Sequence, residues 1–381
     1  MDEVRLSRFL HGMDVDHGGG ASRVGSPLIG VLGGTGIGPE VIRGALHVLQ
    51  AVEAPGGVPW PVRWSGPPGE AMALADGLHL SDAISEFCER IFAEGGAVLS
   101  GPGGGRYVYE LRRRFNLFCK FVPIRPWPQL AGAGCITPEH TAGVNVLIVR
   151  DNAAGVYQGT WRSEVSAAGR SAAHTFGYSE QEVRQLVEVA ARAAAARRGL
   201  LTVVIKDGGV PSISWLWREV AAEVAREQGV DATMVNVDLA AYQIIQRPCH
   251  FDVIVAPNLF GDVLADVAGV LLRSRALGFS GNFAADGPAV YQTNHGCAHD
   301  LAGLDRANPV GQILALAMLL RESFGLDGQA AQIEQGVAAA CGAGWRTADL
   351  AEPGCRVVGT QEMADRIAAA IIESSREKVH A

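Results

Sequence analysis

Short apolar runs alternate with longer stretches of helical periodicity along most of this chain. VLIV at 146–149, TVVI at 202–205 and VIVAP at 253–257 have the length and composition of buried strands. Residues 179–198, 214–228, 309–324 and 361–374 space their apolar positions as helices do. From Pro27 onward this alternation predicts an α/β fold with parallel strands. Residues 1–26 carry no period and end in HGGGASRVGS, which predicts a mobile extension. The segment ARAAAARRG at 191–199 reads as a solvated helix rather than a basic binding patch.

One turn between a strand and a helix needs closer reading. Residues 33–40, GGTGIGPE, follow the apolar run Leu28 to Leu32 and precede a helical pattern from Val41 to Ala51. This is the layout of a dinucleotide-binding fingerprint, which requires G-x-G-x-x-G and an acid about 20 residues on. Gly34 and Gly36 fill the first two places, but Pro39 stands in the third. Proline suits a helix's first turn and cannot give the close helix–strand packing that the third glycine provides. Glu53 lies near the acidic position but inside a helical pattern. The stretch reads as a tight strand–helix turn in preference to a Rossmann loop.

Composition narrows the function. A chain of 381 residues holds two domains or one large α/β unit. A net charge of −8 argues against a nucleic-acid partner. Seven scattered cysteines without C-x-x-C fit free thiols in a reducing compartment better than disulfides or a zinc site. The charged start MDEVRLSRFL is no signal peptide, and no apolar run reaches the roughly 18 residues of a membrane span. The expectation is a cytoplasmic protein.

Five polar stretches carry the candidate chemistry. ELRRRFN at 110–116 is either a solvated helix face or a carboxylate-binding set of guanidiniums. Arg150 and Asp151 directly follow a buried strand, where functional side chains of α/β sheets gather; a capping Asp with a surface Arg is the alternative. Lys206 ends another strand, either as a partly desolvated base or as a snorkelling lysine. Asp262 and Asp266 are four apart, so a helix puts both carboxylates on one face. Such a pair suits Mg²⁺ or Mn²⁺, with Asp238 as a candidate third ligand, or is a cap plus a surface acid. Residues 294–309, NHGCAHDLAGLDRANP, form a long loop able to wrap a ligand.

In order, these stretches resemble the decarboxylating β-hydroxyacid dehydrogenases that act on isopropylmalate, isocitrate, homoisocitrate and tartrate. The family's G-D-G-I-G-P-E is similar to Gly34–Glu40, its N-L-F-G-D-I-L-S-D to Asn258–Asp266, and its H-G-S-A-P-D-I-A-G…A-N-P to His295–Gly303 and Ala307–Pro309. WRTADL and VGTQEM between 345 and 363 resemble the family's last strand and helix. The resemblance implies an α/β, isopropylmalate dehydrogenase-like, non-Rossmann fold of two domains. Residues 27–101 and 273–381 would form the large cofactor-binding domain, and 102–272 the small domain carrying substrate, metal and dimer contacts. It further implies an enzyme using NAD and Mg²⁺ or Mn²⁺ to decarboxylate a small 2-hydroxy acid. Arg112 and Arg150 would clamp the malate core. Asp238, Asp262 and Asp266 would hold the metal. Lys206 would take the hydroxyl proton through water, and Tyr157 would protonate the enolate. His295, Gly296, Ala298, Asp300 and Asn308 would hold the cofactor, the acid at 300 favouring NAD over NADP. The Lys and one Asp would reach into the other subunit's site, making a homodimer with shared active sites.

The chain departs from the family pattern at the site. The second carboxylate-binding Arg of A-N-[LV]-R-P is Val122, leaving Lys120 or Arg125 to supply the charge. The Asp near the nicotinamide is Thr35, the Thr of V-R-E-x-T-x-G is Ala153, and the Asn of K-x-N is Gly208. In the family, the stretch that meets the substrate's variable group lies just before the position of Arg112. Here it is GGGRYVY at 103–109, so the resemblance implies that Arg106, Val108 and Tyr109 would line that place and that Arg106 would be able to meet an anion. A 3-substituted malate with an unusual, anionic or phosphonate substituent is the resulting expectation. The alternatives are a non-catalytic regulatory subunit and a tartrate- or malate-type dehydrogenase.

Overall fold

The computed structural model describes residues 5–10, 27–52, 59–65 and 79–380. After a 3₁₀ turn at Leu6–Leu10, the chain runs through β1 (Ile29–Leu32), α1 (Gly38–Gln50), β2 (Val62–Trp64), α2 (Asp82–Ala93) and β3 (Ala97–Ser100). Next come α3 (Tyr107–Arg114), β4 (Cys119–Ile124), α4 (Pro138–Thr141), β5 (Val146–Asp151) and the hairpin of β6 (Thr160–Ser166) and β7 (Gly169–Thr175). Then α5 (Glu180–Ala195), β8 (Leu200–Ile205), α6 (Pro211–Gln228), β9 (Asp231–Asn236), α7 (Val237–Gln246), β10 (Val253–Ala256) and α8 (Asn258–Ala268) alternate. The last elements are β11 (Phe279–Phe283), β12 (Ala289–Thr293), α9 (Val310–Phe324), α10 (Asp327–Gly342), β13 (Trp345–Arg346), β14 (Arg356–Val357) and α11 (Thr360–His380).

Ten strands form one sheet in the order β2-β1-β3-β12-β11-β4-β5-β10-β8-β9. The parallel pairing expected from the alternation holds in both flanks. The centre differs: β11 runs antiparallel to β12 and β4, and β4 antiparallel to β5. A short link such as 284–288 can join only antiparallel neighbours, since a parallel crossover needs about a dozen residues. Strands β1, β3, β5 and β10 are buried along their whole length, which explains their unbroken apolar runs.

Helix α5 begins with a capping box between Ser179 and Glu182 and turns Val183, Leu186, Val187, Ala190, Ala191 and Ala194 inward at helical spacing. The solvated helix expected at 191–199 is thus corrected. Ala191, Ala193 and Ala194 are core while Ala195 and Ala196 stay exposed, Arg192 Nε donates to the Phe9 carbonyl at 2.8 Å, and Arg197 Nε donates to Asp252 at 2.7 Å.

Residues 5–10 also depart from the mobile extension expected for 1–26. Phe9 is buried in the main core, Ser7 N donates to Glu322 Oε2 at 2.8 Å, and Arg5 pairs with Asp327 at 2.7 Å. Leu6, Phe9 and Leu10 recur at three and four residues, a single helical turn too short to register as a period. Residues 1–4 and 11–26 lie outside the described residues.

The β6–β7 hairpin is exposed at every position, with Trp161 58% and Val165 84% exposed. All seven cysteines are free thiols. Among the described residues no helix is long and apolar enough to cross a membrane.

Candidate active site

The site grows from the register of the two central strands. Lys120 of β4 lies directly opposite Arg150 of β5, and facing residues of an antiparallel pair project to the same side of the sheet. Arg112, in the last turn of α3, joins them electrostatically. All three cations are at least 95% buried. Burial, and the Arg112 and Arg150 charges, hold the Lys120 ammonium well below its ordinary pKa against the pull of Asp262 and Asp266. Burial and Arg150 pull the Arg112 guanidinium down in the same way. Val122 is buried in β4, whereas Arg125 lies past the strand end and is exposed.

Asp262 answers part of this charge. Its carboxylate accepts from Arg150 Nη1 and, at 3.0 Å, from the Tyr157 hydroxyl. Burial works to raise the Asp262 carboxyl, but Arg150, Lys120, the Tyr157 bond and Arg112 together hold it below the ordinary range. Burial and the Asp262 charge push the Tyr157 phenol up, so it keeps its proton at neutral pH and is able to donate it. Arg150 Nη2 donates to Asn258 Oδ1 at 2.8 Å. Among the described residues the Nε atoms of Arg106, Arg112 and Arg150 are buried without a partner. Buried donors of this kind ask for an acceptor. With an excess of buried cations over carboxylates, the cluster suits a small polyanion.

Tyr109 packs on Tyr157 with ring centroids 5.0 Å apart, and Val108 is half-buried beside it. Arg106 is partly engaged: Nη1 donates to the Tyr157 carbonyl at 2.9 Å, and its guanidinium lies 4.8 Å from the Trp161 ring centroid and 5.3 Å from that of Tyr109.

The expected metal ligands divide into two places. Asp262 and Asp266 sit one turn apart on α8, and Arg275 donates to Asp266 at 2.7 Å. Asp238, in the first turn of α7, instead accepts from Lys206 Nζ at 2.7 Å, and both are solvent-exposed. Among the described residues no three His, Cys, Asp or Glu side chains group to hold a metal. One chain alone offers two hard carboxylates, and these fit Mg²⁺ or Mn²⁺ only if further donors join them.

The glycine turn packs against the 295–309 loop. Ile37 N donates to the Cys297 carbonyl at 2.9 Å, and the Thr35 hydroxyl to Cys297 Sγ at 2.9 Å. A Cβ on Gly36 (φ +61°) would lie 2.0 Å from the Cys297 carbonyl, so only glycine fits there. His295 directs Nδ1 at the Gly296 carbonyl, 2.9 Å away, which makes the buried, partnerless Nε2 an acceptor in the neutral ring. Burial lowers its pKa further. Gly296 and Asp300 are exposed, and Ala298 takes a left-handed φ of +40°. Asn308 uses both ends of its amide, donating to Asp349 at 3.1 Å and accepting from Val310 N, at the start of α9, at 3.0 Å. The orphan His295 nitrogen and the exposed Asp300 fit a ribose-bearing dinucleotide.

Two contributors escaped residue-by-residue reading. Asn258 stands at the head of a motif that had drawn notice for its aspartates alone. Arg275 had no sequence signal, since its partnership with Asp266 depends on a 3₁₀ turn after α8.

The family model described as isocitrate/isopropylmalate dehydrogenase matches residues 28–367. A 3-isopropylmalate dehydrogenase of Geobacillus kaustophilus is 37% identical over 366 residues, covering 92% of this chain and 97% of that protein. One from Pseudomonas putida is 36% identical over 357 residues, covering 90% and 98%. Among solved structures, the isocitrate dehydrogenase of Methylococcus capsulatus superposes with a TM-score of 0.78 at 28% identity, covering 91% of this chain and 99% of that one.

Proposed function

We propose a reaction for this chain from one premise: it belongs to the isocitrate/isopropylmalate dehydrogenase family and has that α/β fold. The reaction is the NAD- and divalent-metal-dependent oxidative decarboxylation of a 3-substituted malate. The observation that carries it is the cluster of buried Arg112, Lys120 and Arg150 around Asp262, with the protonated Tyr157 hydroxyl on that same carboxylate.

Arg112 and Arg150 bind the carboxylates of the malate core by charge-assisted hydrogen bonds. Lys120 takes the second carboxylate in preference to Arg125, because it shares the face and the burial of Arg150. Asp262 and Asp266, joined by Asp238 of a second copy, hold Mg²⁺ or Mn²⁺; His295, Gly296, Ala298, Asp300 and Asn308 line the NAD site. NAD and the metal supply, when bound, the hydride acceptor and the Lewis acid. Lys206 of the second copy receives the substrate's hydroxyl proton through water. After CO₂ leaves, Tyr157 delivers a proton to the enolate carbon. Arg106, Val108 and Tyr109 meet the 3-substituent, and Arg106 favours an anionic one.

Homodimerisation follows from the same reading. It would cover the exposed hairpin and the exposed Leu239, Tyr242, Leu259 and Val263 of α7 and α8, and bring Lys206 and Asp238 to a second site. Residues 27–101 with 273–381 then form the cofactor domain and 102–272 the small domain. Free thiols fit a cytoplasmic location.

The test is NADH formation with Mg²⁺ or Mn²⁺ across malate, tartrate, isocitrate, homoisocitrate, 3-isopropylmalate and a phosphonomethyl-malate, with CO₂ release measured alongside. Turnover of one substituted malate that stops with EDTA is expected. NADH without CO₂ would favour simple oxidation, and efficient use of 3-isopropylmalate would remove the anionic substituent. Val122 and Thr35 at family site positions favour a second reading, a ligand-binding regulatory subunit. Silence across the panel with NAD still bound is its signature.

A further inference from the structure

Tyr178, between β7 and α5, has a hydroxyl that closes a partly buried chain of hydrogen bonds ending on Arg150. The hydroxyl donates to Asp151 Oδ2 at 3.1 Å and accepts from Asn258 N at 2.9 Å. Asp151 Oδ1 in turn accepts from the amides of Ala153 and Ala154, each at 3.3 Å. Asn258 Nδ2 donates to the Ala154 carbonyl at 2.7 Å, which leaves Oδ1 aimed at Arg150 Nη2, 2.8 Å away.

Asn258 is the first residue of α8, and the first amides of any helix lack an internal acceptor. Pro257 precedes it and offers no side-chain cap. The Tyr178 hydroxyl therefore serves as the cap of α8, supplied from 80 residues away in sequence. One turn further along α8 stands Asp262, which also binds Arg150. The Tyr178 ring is held edge-on against buried Trp217, with centroids 5.5 Å apart at 89°. A Cβ on Gly155 would lie 2.1 Å from the Tyr178 hydroxyl, so the turn after Asp151 makes room for this contact.

We propose that Tyr178 is a positioning residue for the substrate-binding guanidinium of Arg150, acting through the first turn of α8 and Asn258. The role in substrate binding rests on the function proposed above; the hold on α8 does not. Tyr178→Phe removes the cap and keeps the ring on Trp217. The expected result is a KM for the hydroxy acid raised about 5- to 20-fold, the loss of one buried hydrogen bond, with KM for NAD within about twofold. In an Asn258→Ala background, Tyr178→Phe should raise KM by a clearly smaller factor than in the wild type, because the route through the Asn258 side chain is cut and only the one through Asp262 remains. Hydrogen exchange of the peptide spanning 258–264 should quicken in Tyr178→Phe whether or not any substrate has been found.

Unchanged KM, or factors that multiply independently in the double variant, would overturn the positioning role. Unchanged exchange would overturn the cap. Faster exchange in a protein that turns over nothing on the panel would sink the proposed reaction and leave the cap standing. If Tyr178→Phe does not fold, Asp151→Asn loosens the same chain one bond further out. It should raise KM in the same direction by a smaller factor, and no rise would count against the proposal.

Discussion

Lys120→Met is the substitution whose effects on stability and on activity should run in opposite directions. Lys120 is 4% exposed and stands opposite Arg150, with buried Arg112 also bearing on it. Like charges directly opposite on a sheet are destabilising, and a buried ion carries a desolvation penalty of several kcal/mol. Asp262 and Asp266 offset part of it. Methionine matches the lysine stem in length and removes the charge. Replacing buried ions by apolar groups of similar volume is often stabilising by about 1–4 kcal/mol, and the low end of that range is expected here because Asp262 loses a favourable neighbour. Scaled by chain length, about 1–2 kcal/mol corresponds to a rise of only about 1–3 °C in melting temperature, so guanidinium denaturation is the better assay. Activity should fall. If Lys120 meets the second carboxylate, truncating it costs about 2–5 kcal/mol, at least about 30-fold in kcat/KM. Most of the loss should fall in KM for the hydroxy acid, with NAD binding unaltered. A variant less stable than the wild type and equally active would refute both the unfavourable environment and the substrate contact.

Other predictions concern separate parts of the molecule. Burial is the main reason that the Asp151 carboxyl is raised from 3.8 to about 6. A carboxyl raised on folding contributes stability that is present below its unfolded pKa and is lost as pH rises through its folded one, here up to about 3 kcal/mol between about pH 4 and 6. Asp151→Asn should lack that slope when denaturation curves at pH 4.5 and 7.5 are compared; parallel behaviour would contradict the raised carboxyl. Removing residues 1–10 should lower stability by about 2 kcal/mol, from the loss of Phe9 and its flanking leucines, without changing KM, as thermal melts and kinetics would show. Val165→Glu, at an 84% exposed position of the hairpin, should yield monomers by light scattering and abolish turnover. Monomers that stay active would disprove the shared site. Asp262→Asn should weaken Mn²⁺ binding in calorimetry at least about tenfold, and unaltered binding would remove that residue from the metal site.

Much of the architecture is legible from local order. The runs at 146–149, 202–205 and 253–257 became β5, β8 and β10, and the helical patterns at 179–198, 214–228, 309–324 and 361–374 became α5, α6, α9 and α11, within a few residues at their ends except that α11 continues to His380. The four-residue step from Asp262 to Asp266 holds on α8. These features survive because periodicity reports which face of an element is buried, and that depends on neighbours a few residues away. Family motifs marked the chemistry-bearing stretches in the same local way. The tertiary structure decided what local order does not encode. It reversed the strand direction at the sheet centre, buried the alanines of 191–194, docked Phe9 and separated Asp238 from Asp262 within one chain. It placed Lys120 opposite Arg150 across strands, and joined Arg150 to Asn258 over 108 residues and Asn258 to Tyr178 over 80. Register and long-range hydrogen bonds depend on how whole elements pack, and one side chain's spacing along the chain carries no record of which distant partner that packing will bring to it.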